Sequence, residues 1–416
     1  MTKSPPLRND CFAMPRGVEW TPVDVALERL RAGLNVVVGT ETIPIQSALG
    51  RILATDITAT ANHPPFANAA VDGFGFAHAS LADSDEIALP LTSGRAAAGE
   101  PFNGTVPTGH AVRILTGAAI PDGVDTVILE EDVNFDETHI HFRAGLKRGA
   151  NARPMGEDIA IGQTILTHGH KIRPADLGVL TSGGIGEITV FKPLRVAVLT
   201  TGNELIDAGK PKTTGQIFDA NRPMLLAQIA AWGYLPIDLG ILPDDPEKIR
   251  AALDAAAQTA DVILTTGGAS AGDEDHISKL LKSHANLQTW RIAIKPGRPL
   301  ALALWNGTPV FGLPGNPVAA MVCTQIFAAP ACAMLSGQGW TTPTSIMVGA
   351  AFTKNKKDGR TEYLRARLNA DGYAEVFPSE GSGRISGLSW ATGLVELDHG
   401  ARDVKHGDLV RYIPCG

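Results

Sequence analysis

Residues 260–278 read ADVILTTGGASAGDEDHIS. Asp261 to Thr266 is an apolar, β-branched run ended by a glycine pair, the pattern of a short buried strand. Gly267, Gly268 and Gly272 enclose Ser270 in a turn, and Asp273, Glu274 and Asp275 follow at once. An amphipathic segment with Ile277, Leu280 and Leu281 comes next. A strand that feeds a glycine-rich turn and a helix start presents backbone N–H groups to an anion. Three carboxylates at the same turn suit a hard cation such as Mg²⁺. The stretch predicts phosphate chemistry with a metal, carried on a strand–turn–helix unit.

The flanking sequence repeats that unit. LRVAVLTTG reads as an apolar strand, and NRPMLLAQIAAWG as a helix with Asn221 as its cap and Gly233 at its end. YLPIDLGIL is a strand, and PEKIRAALDAAAQTA a helix with Ile249, Leu253, Ala256, Ala257 and Ala260 on one face. HISKLLKS is helical; WRIAIKPG, LALALW and PVFGLPG are strands; Asn316-Pro317 opens a last helix, VAAMVCTQIFAAPACAML. Alternating strands and helices imply a doubly wound, mostly parallel α/β domain over 192–337. Ligands of such sheets bind at the carboxyl ends of the strands. Those ends carry Thr201–Glu204, Asp244–Asp245, Gly267–Asp275, Lys295–Pro299 and Gly312–Asn316.

A chain of 416 residues is long enough for two to four domains. Its 45 glycines and 28 prolines predict many turns and hence β-rich modules beside the α/β domain. A net charge of −7 argues against a general nucleic-acid binder, whose phosphate contacts need a basic surface. Cys11, Cys323, Cys332 and Cys415 form no CxxC pair, so neither a zinc site nor a disulfide is expected. MTKSPPLRNDCFAMP lacks the apolar core of a signal peptide, and no apolar run reaches the length of a membrane span. A cytoplasmic protein is expected.

Residues 1–16 read as a disordered lead-in. Thr21-Pro22-Val23-Asp24 predicts a helix start with Thr21 as cap, and Gly33 its end. Residues 41–61 alternate in short strands, and HPPFANAAVDGFGF is a Pro-rich loop carrying Asp72. Taken alone, Asp72 reads better as a turn acid of the V-D-G bend. Residues 86–147 repeat short strands, with Thr116 just past Val112–Leu115. His168 and His170 fit turn histidines better than metal ligands. A helix is expected near Pro174–Thr181, stopped by Gly183. After Ser336 the pattern is β again, a small barrel or sandwich holding Arg365 and Ser382 in or beside its turns.

GASAG at 268–272 also fits G-x-S-x-G, the nucleophile elbow of hydrolases, in the required strand–turn–helix context. No HGGG-like oxyanion segment precedes it. Its neighbouring acids would oppose a developing oxyanion by about 4 kcal/mol per pair of charges 4 Å apart at an effective dielectric near 20. IKPGRP places Lys295 and Arg298 around a tight turn, able to aim two cations at one oxyanion, and reads equally as a solvated turn. FGLPGNPVAA adds a helix N-terminus with free N–H groups, a second anion site, or simply a well-capped helix. No Walker A or Rossmann fingerprint is present.

TTGNEL (200–205), TTGGASAGDEDHI (265–277), IKPGRP (294–299), GLPGNPVAA (312–320) and VDGFG (71–75) together resemble the MoeA-type molybdopterin molybdenumtransferases, which include the gephyrin E domain. The resemblance runs over about 17–416 in the family's order. It implies a homodimer of four-domain subunits: a discontinuous domain I (17–53 and 148–191), a β-rich domain II (54–147), the α/β domain III (192–337) and a β-barrel domain IV (338–416). It also implies the reaction, insertion of molybdenum from molybdate into adenylylated molybdopterin (molybdopterin-AMP), with Mg²⁺ and release of AMP. Carried over by motif, Asp275 and Asp244 would serve Mg²⁺ and phosphate, and Glu204 would position substrate. Gly267, Gly268, Ser270, Gly315 and Asn316 fall in the substrate-binding turns. Lys295, Arg298 and Pro299, completed by Arg365 and Ser382, resemble the family's molybdate site. Asp72 and Thr116 match residues that reach the neighbouring subunit's cleft. Molybdoenzymes or their chaperones would be acceptors.

Three positions depart from the family pattern. Val71 stands where Met is usual, Ala319 where Ser often follows G-N-P-V, and Arg291 where Lys is common. Loss of a hydroxyl at Ala319 leaves room for tungstate. Two other classes stay open: an adenylyltransferase-like enzyme, from the resemblance of the α/β domain alone, and a non-catalytic scaffold that binds cofactor.

Overall fold

The computed structural model describes residues 20–267, 276–284, 286–290, 292–297 and 300–415. Gly268, Ser270, Asp275, Arg298, Pro299, Arg291 and the lead-in 1–16 therefore lie outside the described residues. The chain divides into two compact units, Met1–Gly39 with Phe191–Gly416, and Thr40–Val190.

The first unit is built on the α/β sheet expected around residue 265. Its elements are β1 (Arg195–Thr201), α1 (Asn221–Ala231), β2 (Leu235–Leu242), α2 (Pro246–Thr259), β3 (Val262–Thr266), α3 (His276–His284), β4 (Asn286–Trp290), β5 (Ala301–Trp305), β6 (Thr308–Leu313) and α4 (Pro317–Cys323). The strand order is β2-β1-β3-β6-β5-β4. The first four are parallel, whereas β5 is antiparallel to β6 and β4 to β5, so the sheet is mixed. Strand alternation divides the core in two. Val196 and Val198 of β1 pack on one face with Leu225, Ile229 and Val318, while Ala197 and Leu199 face Ile249, Leu253, Ile277 and Leu281 on the other. Helices cover both faces, as a doubly wound sheet requires.

Four local expectations are corrected. Thr21 does not cap the first helix, Val23–Gly33, whose N-cap is Pro22 with no side-chain bond. The Thr21 backbone is instead drawn into a parallel bridge with Ile292, its carbonyl accepting from Ala293 N at 2.8 Å. Asn221 is the first residue of α1 rather than its cap, because the Asp219 carboxylate accepts from the N–H groups of Asn221 and Arg222. WRIAIKPG is not one strand: β4 ends at Trp290, and Ile294–Lys295 joins the C-terminal sheet. The last helix is continuous from Pro317 to Leu335 but passes through a π-helical turn at Thr324–Ala328. Pro330, just beyond that turn, has no N–H to complete an ordinary i→i−4 ladder. Contrary to the expectation that no apolar run reaches the length of a membrane span, this segment is long and apolar enough to cross a membrane by composition, but 78% of its apolar window is buried. It is a core helix, and no other described helix meets that test.

The C-terminal sheet runs Ile294–Lys295, Thr361–Leu368, Gly393–Leu397, Leu409–Pro414, Ile346–Gly349, with Ala374–Val376 also paired to Thr361–Leu368. The parallel pairing of Lys295 with Glu362 sews the IKPG segment to this sheet.

In the second unit, segments far apart in sequence share a core. Ile45, Leu53 and Ile57 pack with Ile172, Leu180 and Val190. Between them lies a six-stranded sheet, ordered Thr126–Leu129, Gly73–Phe76, Ala111–Ile114, Glu86–Ala96, His139–Arg143, Asn134–Phe135. The expected helix is found at Pro174–Ser182 with Gly183 after it. His170 is a structural histidine, its Nε2 2.7 Å from the buried Asp176 carboxylate, and the His168 N–H donates to Asp56.

Candidate active site

In the order β2-β1-β3 the chain reverses direction across the sheet between β1 and β3, and the crevice beyond the carboxyl ends of those strands is where such folds bind ligands. The residues there are held close together. Gly267 ends β3 with φ +87°, and a Cβ at that position would lie 2.3 Å from the Thr201 carbonyl oxygen at the end of β1. Only glycine allows that approach. Gly315, past β6, sits against it: a Cβ there would lie 3.7 Å from the Gly267 Cα.

Asn221 ties these ends together. Its Nδ2 donates to Thr266 Oγ1 and to the Gly315 carbonyl, both at 2.7 Å, and the Thr266 hydroxyl donates on to the Pro314 carbonyl. Among the described residues, the hydroxyls of Thr200, Thr201 and Thr265 and the Asn221 Oδ1 are buried with no hydrogen-bond partner. A row of buried polar atoms at a carboxyl edge is costly unless a ligand, water or turn satisfies it. Sequence reasoning missed this role of Asn221, reading it as a helix cap. The signal available was the run DANR, whose Asp219 already supplies the cap.

The TGNEL and LPDD loops clasp one another. Asn203 N donates to Asp244 Oδ2 at 3.0 Å, and Asp244 N to Asn203 Oδ1 at 3.2 Å. Among the described residues Asp244 Oδ1 takes no hydrogen bond. Asp245, its neighbour, caps α2 through Glu247 N and Lys248 N. Glu204 is exposed and folds back over Gly202, where a Cβ would lie 2.6 Å from its Oε2. The structure thus brings Glu204, Asp244, Gly267, Gly315 and Asn316 to one edge.

Lys295 and Arg365 line one pocket in the same unit, and Ser382 lies on the loop beside it. Gly297 seats the IKPG turn against the last helix, since a Cβ there would lie 2.5 Å from the Cys323 sulfur. Arg365 is buried and spends its guanidinium on the carbonyls of Ser379, Gly381 and Arg384, with Phe377 4.8 Å beneath it. It therefore shapes the loop that carries Ser382. The Ser382 carbonyl accepts from Val318 N at 3.2 Å, so one of the N–H groups at the α4 N-terminus is already taken. Lys295 does not stand alone: it forms ion pairs with Glu362 and Glu380, and Lys354 pairs with the same two carboxylates.

In the second unit Asp72 Oδ1 accepts from both Thr116 N, at 2.6 Å, and Thr116 Oγ1, at 2.7 Å. These two bonds hold the exposed carboxyl below its ordinary range. Gly73 is fixed by the sheet, because a Cβ would lie 1.8 Å from the Ile128 carbonyl oxygen.

Three family profiles match the chain in succession: "MoeA N-terminal region (domain I and II)" over residues 21–184, "Probable molybdopterin binding domain" over 197–333, and "MoeA C-terminal region (domain IV)" over 348–415. The fold is accordingly that of a MoeA-type protein. The crystal structure of the molybdopterin biosynthesis MoeA protein from Pyrococcus horikoshii OT3 matches with a TM-score of 0.85 at 28% identity, covering 95% of this chain and 100% of that one. The molybdopterin molybdenumtransferase of Haemophilus influenzae is 35% identical over 398 residues, 94% of this chain and 98% of its own length. That of Staphylococcus epidermidis is 31% identical over 402 residues, with 94% and 96% covered. The chain belongs to the molybdopterin molybdenumtransferase family, enzymes of molybdenum cofactor biosynthesis.

Proposed function

We propose that this enzyme takes adenylylated molybdopterin and molybdate as substrates, inserts molybdenum into the dithiolene, and releases AMP with the help of Mg²⁺. The observation that carries the reading is the tight meeting of the β1, β3 and β6 ends, with buried hydroxyls that find no partner among the described residues and acids at the rim, in one unit with the Lys295–Arg365 cluster. The first set of groups suits a phosphoanhydride, and the second an oxyanion.

The donor set fits Mg²⁺. This ion takes hard oxygen ligands, commonly one or two carboxylates with the rest from water and substrate phosphate. Asp244 offers Oδ1, with its other oxygen fixed by Asn203, and Asp275 would supply the second carboxylate. Among the described residues no group of three or more His, Cys, Asp or Glu forms a complete protein cage. Bound there, Mg²⁺ would neutralise the anhydride oxygens.

The chain's own residues then divide the work. The turn at Gly267, Gly268 and Ser270, with Gly315 and Asn316, holds the adenylyl phosphate, and Glu204 orients substrate over β1. Lys295, Arg298, Pro299 and Ser382 hold molybdate, with Arg365 shaping their loop. Hydrolysis adds water across one P–O bond of the anhydride, giving AMP and the molybdopterin phosphate, and its free energy is coupled to molybdenum delivery. Asp72 and Thr116 reach the cleft of a second subunit, so the working form is a homodimer, in the cytoplasm, that hands its product to molybdoenzymes or their chaperones. Ala319, buried behind the α4 N-terminus, removes a hydroxyl near the oxyanion and opens the site to tungstate.

The test is activation of a metal-free molybdoenzyme. With adenylylated molybdopterin, molybdate and Mg²⁺ the protein is expected to restore its activity, and withholding molybdate is expected to abolish the effect. Conversion of molybdopterin and ATP to the adenylate without that activation would identify an adenylyltransferase. Binding with neither reaction would identify a scaffold.

A further inference from the structure

A pocket of about 190 Å³ opens beside the IKPG turn, its wall including Lys295, Lys354, Arg365, Phe377, Ser379 and Glu380. Two carboxylates hold its two lysines, and they differ in kind. Glu362 lies on the strand Thr361–Leu368, in register with Lys295, and its side chain is 7% exposed. Its Oε2 is 3.4 Å from Lys295 Nζ and 3.1 Å from Lys354 Nζ. Glu380 lies outside any strand or helix, and its side chain is 43% exposed. It gives one oxygen to each lysine, Oε2 to Lys295 at 2.6 Å and Oε1 to Lys354.

Glu362 is thus built into the sheet, while Glu380 bridges the two ammonium groups from the open side. The backbone on either side of Glu380 is pinned, because Arg365 bonds the carbonyls of Ser379 and Gly381. Release of the lysines therefore needs only rotation of the Glu380 side chain about its own torsions. Charge favours an exchange. Among the described residues, Lys295, Lys354 and Arg365 against Glu362 and Glu380 leave one net positive charge, and turning Glu380 away adds one more, the direction an entering dianion needs.

We propose that the Glu380 carboxylate is an internal competitor for the substrate oxyanion, and that Lys354 is a further ligand to that oxyanion alongside Lys295. The oxyanion enters by displacing Glu380, whose two oxygens already mark where its own would sit. Glu362 stays and keeps the two lysines together. The pocket also reaches Val318, whose N–H is bonded by Ser382, so it adjoins the α4 N-terminus at the substrate-binding edge. The inference rests on the molybdate reading above for the identity of the anion, though not for its charge and shape.

The test is equilibrium dialysis of the full-length protein against molybdate, tungstate and sulfate, with thermal melts in parallel. Removing the competitor in Glu380→Gln is expected to tighten oxyanion binding about tenfold, the scale of one charge-assisted contact. A structural lesion would weaken it. Lys354→Met is expected to weaken binding by about the same factor, and Lys354→Arg, which keeps the charge, to retain most of it. Unchanged or weaker binding in Glu380→Gln, with the melting temperature preserved, would overturn the competitor. Wild-type affinity in folded Lys354→Met would overturn the ligand assignment. If Glu380→Gln tightens sulfate but the wild type never activates a molybdoenzyme with molybdate, the inference stands and the proposed reaction falls.

Discussion

The Asn221 side chain holds Thr266 and Gly315 at the same time, with 2.7 Å hydrogen bonds to the hydroxyl of one and the carbonyl of the other. One amide at the start of α1 thereby fixes the spacing between the ends of β3 and β6, the edge proposed above to hold the anhydride. Asn221→Ala leaves two buried polar partners to find new bonds. It is expected to cost about 1–3 kcal/mol in urea unfolding and to raise KM for the adenylated substrate. Asn221→Asp keeps the shape but removes both donors, and is expected to behave alike.

Gly267→Ala tests the close approach of β3 to β1. A methyl would meet the Thr201 carbonyl at 2.3 Å, at φ +87°. The strain is expected to cost about 2 kcal/mol or more, read as a lower denaturation midpoint, together with loss of turnover.

The α/β domain was legible because its pattern is local. Buried β-branched runs, Pro at helix starts and Gly at helix ends recur in order, and β1–β3, α1, α2 and α4 all fall where that pattern puts them. What was not legible depended on pairings between distant segments. Nothing near Lys295 shows that its strand joins Thr361–Leu368 rather than the α/β sheet, or that Lys354 and Glu380 will share its charge. Thr21 likewise follows the capping rule in sequence and loses it to a bridge with Ile292, about 270 residues away in chain order. Of the residues named by motif, Glu204, Asp244, Gly267, Gly315 and Asn316 are at the carboxyl edge. The residues that hold that edge, Asn203 and Asn221, needed the structure.

Asp244 clasps Asn203 and, in the proposed function, serves Mg²⁺, and the two roles are separable. Asp244→Asn can still accept from Asn203 N, so the clasp between the two loops is expected to survive and the melting temperature to stay within about 1 °C, while the charge for Mg²⁺ is lost. Activity is expected to require about tenfold more Mg²⁺ or to disappear. An unchanged Mg²⁺ dependence would remove Asp244 from the metal.

Asp176 sets an acid limit on the second unit. The Arg173 guanidinium, above all, and His170 hold its buried carboxyl well below the usual range against the opposing effect of burial. A lowered carboxyl in the folded state stabilises at every pH above the unfolded value, about 4, and that stability is lost as pH falls below it. Asp176→Asn is expected to lose about 1–3 kcal/mol at pH 7 and to flatten the acid limb of the stability curve. The check is urea unfolding of both proteins between pH 3 and 7, read where the second unit melts.

Shared clefts make a sharper prediction than dimerisation alone. Asp72→Ala in one chain and Asp244→Asn in the other damage different residues of the same cleft if Asp72 acts across the interface. Mixed dimers are then expected to regain activity that neither variant shows alone, through the one cleft left intact. No recovery on mixing, with exchange of subunits verified by mass, would place Asp72 in its own subunit's site or outside it.

The central claim, that anhydride cleavage is coupled to molybdenum insertion at the β1–β3 crevice, is tested most directly by counting AMP released against molybdenum retained. Purified protein given adenylylated molybdopterin, Mg²⁺ and limiting molybdate is expected to release one AMP for each molybdenum bound to molybdopterin, and to release almost none without molybdate. AMP release at the same rate with and without molybdate would contradict the coupling.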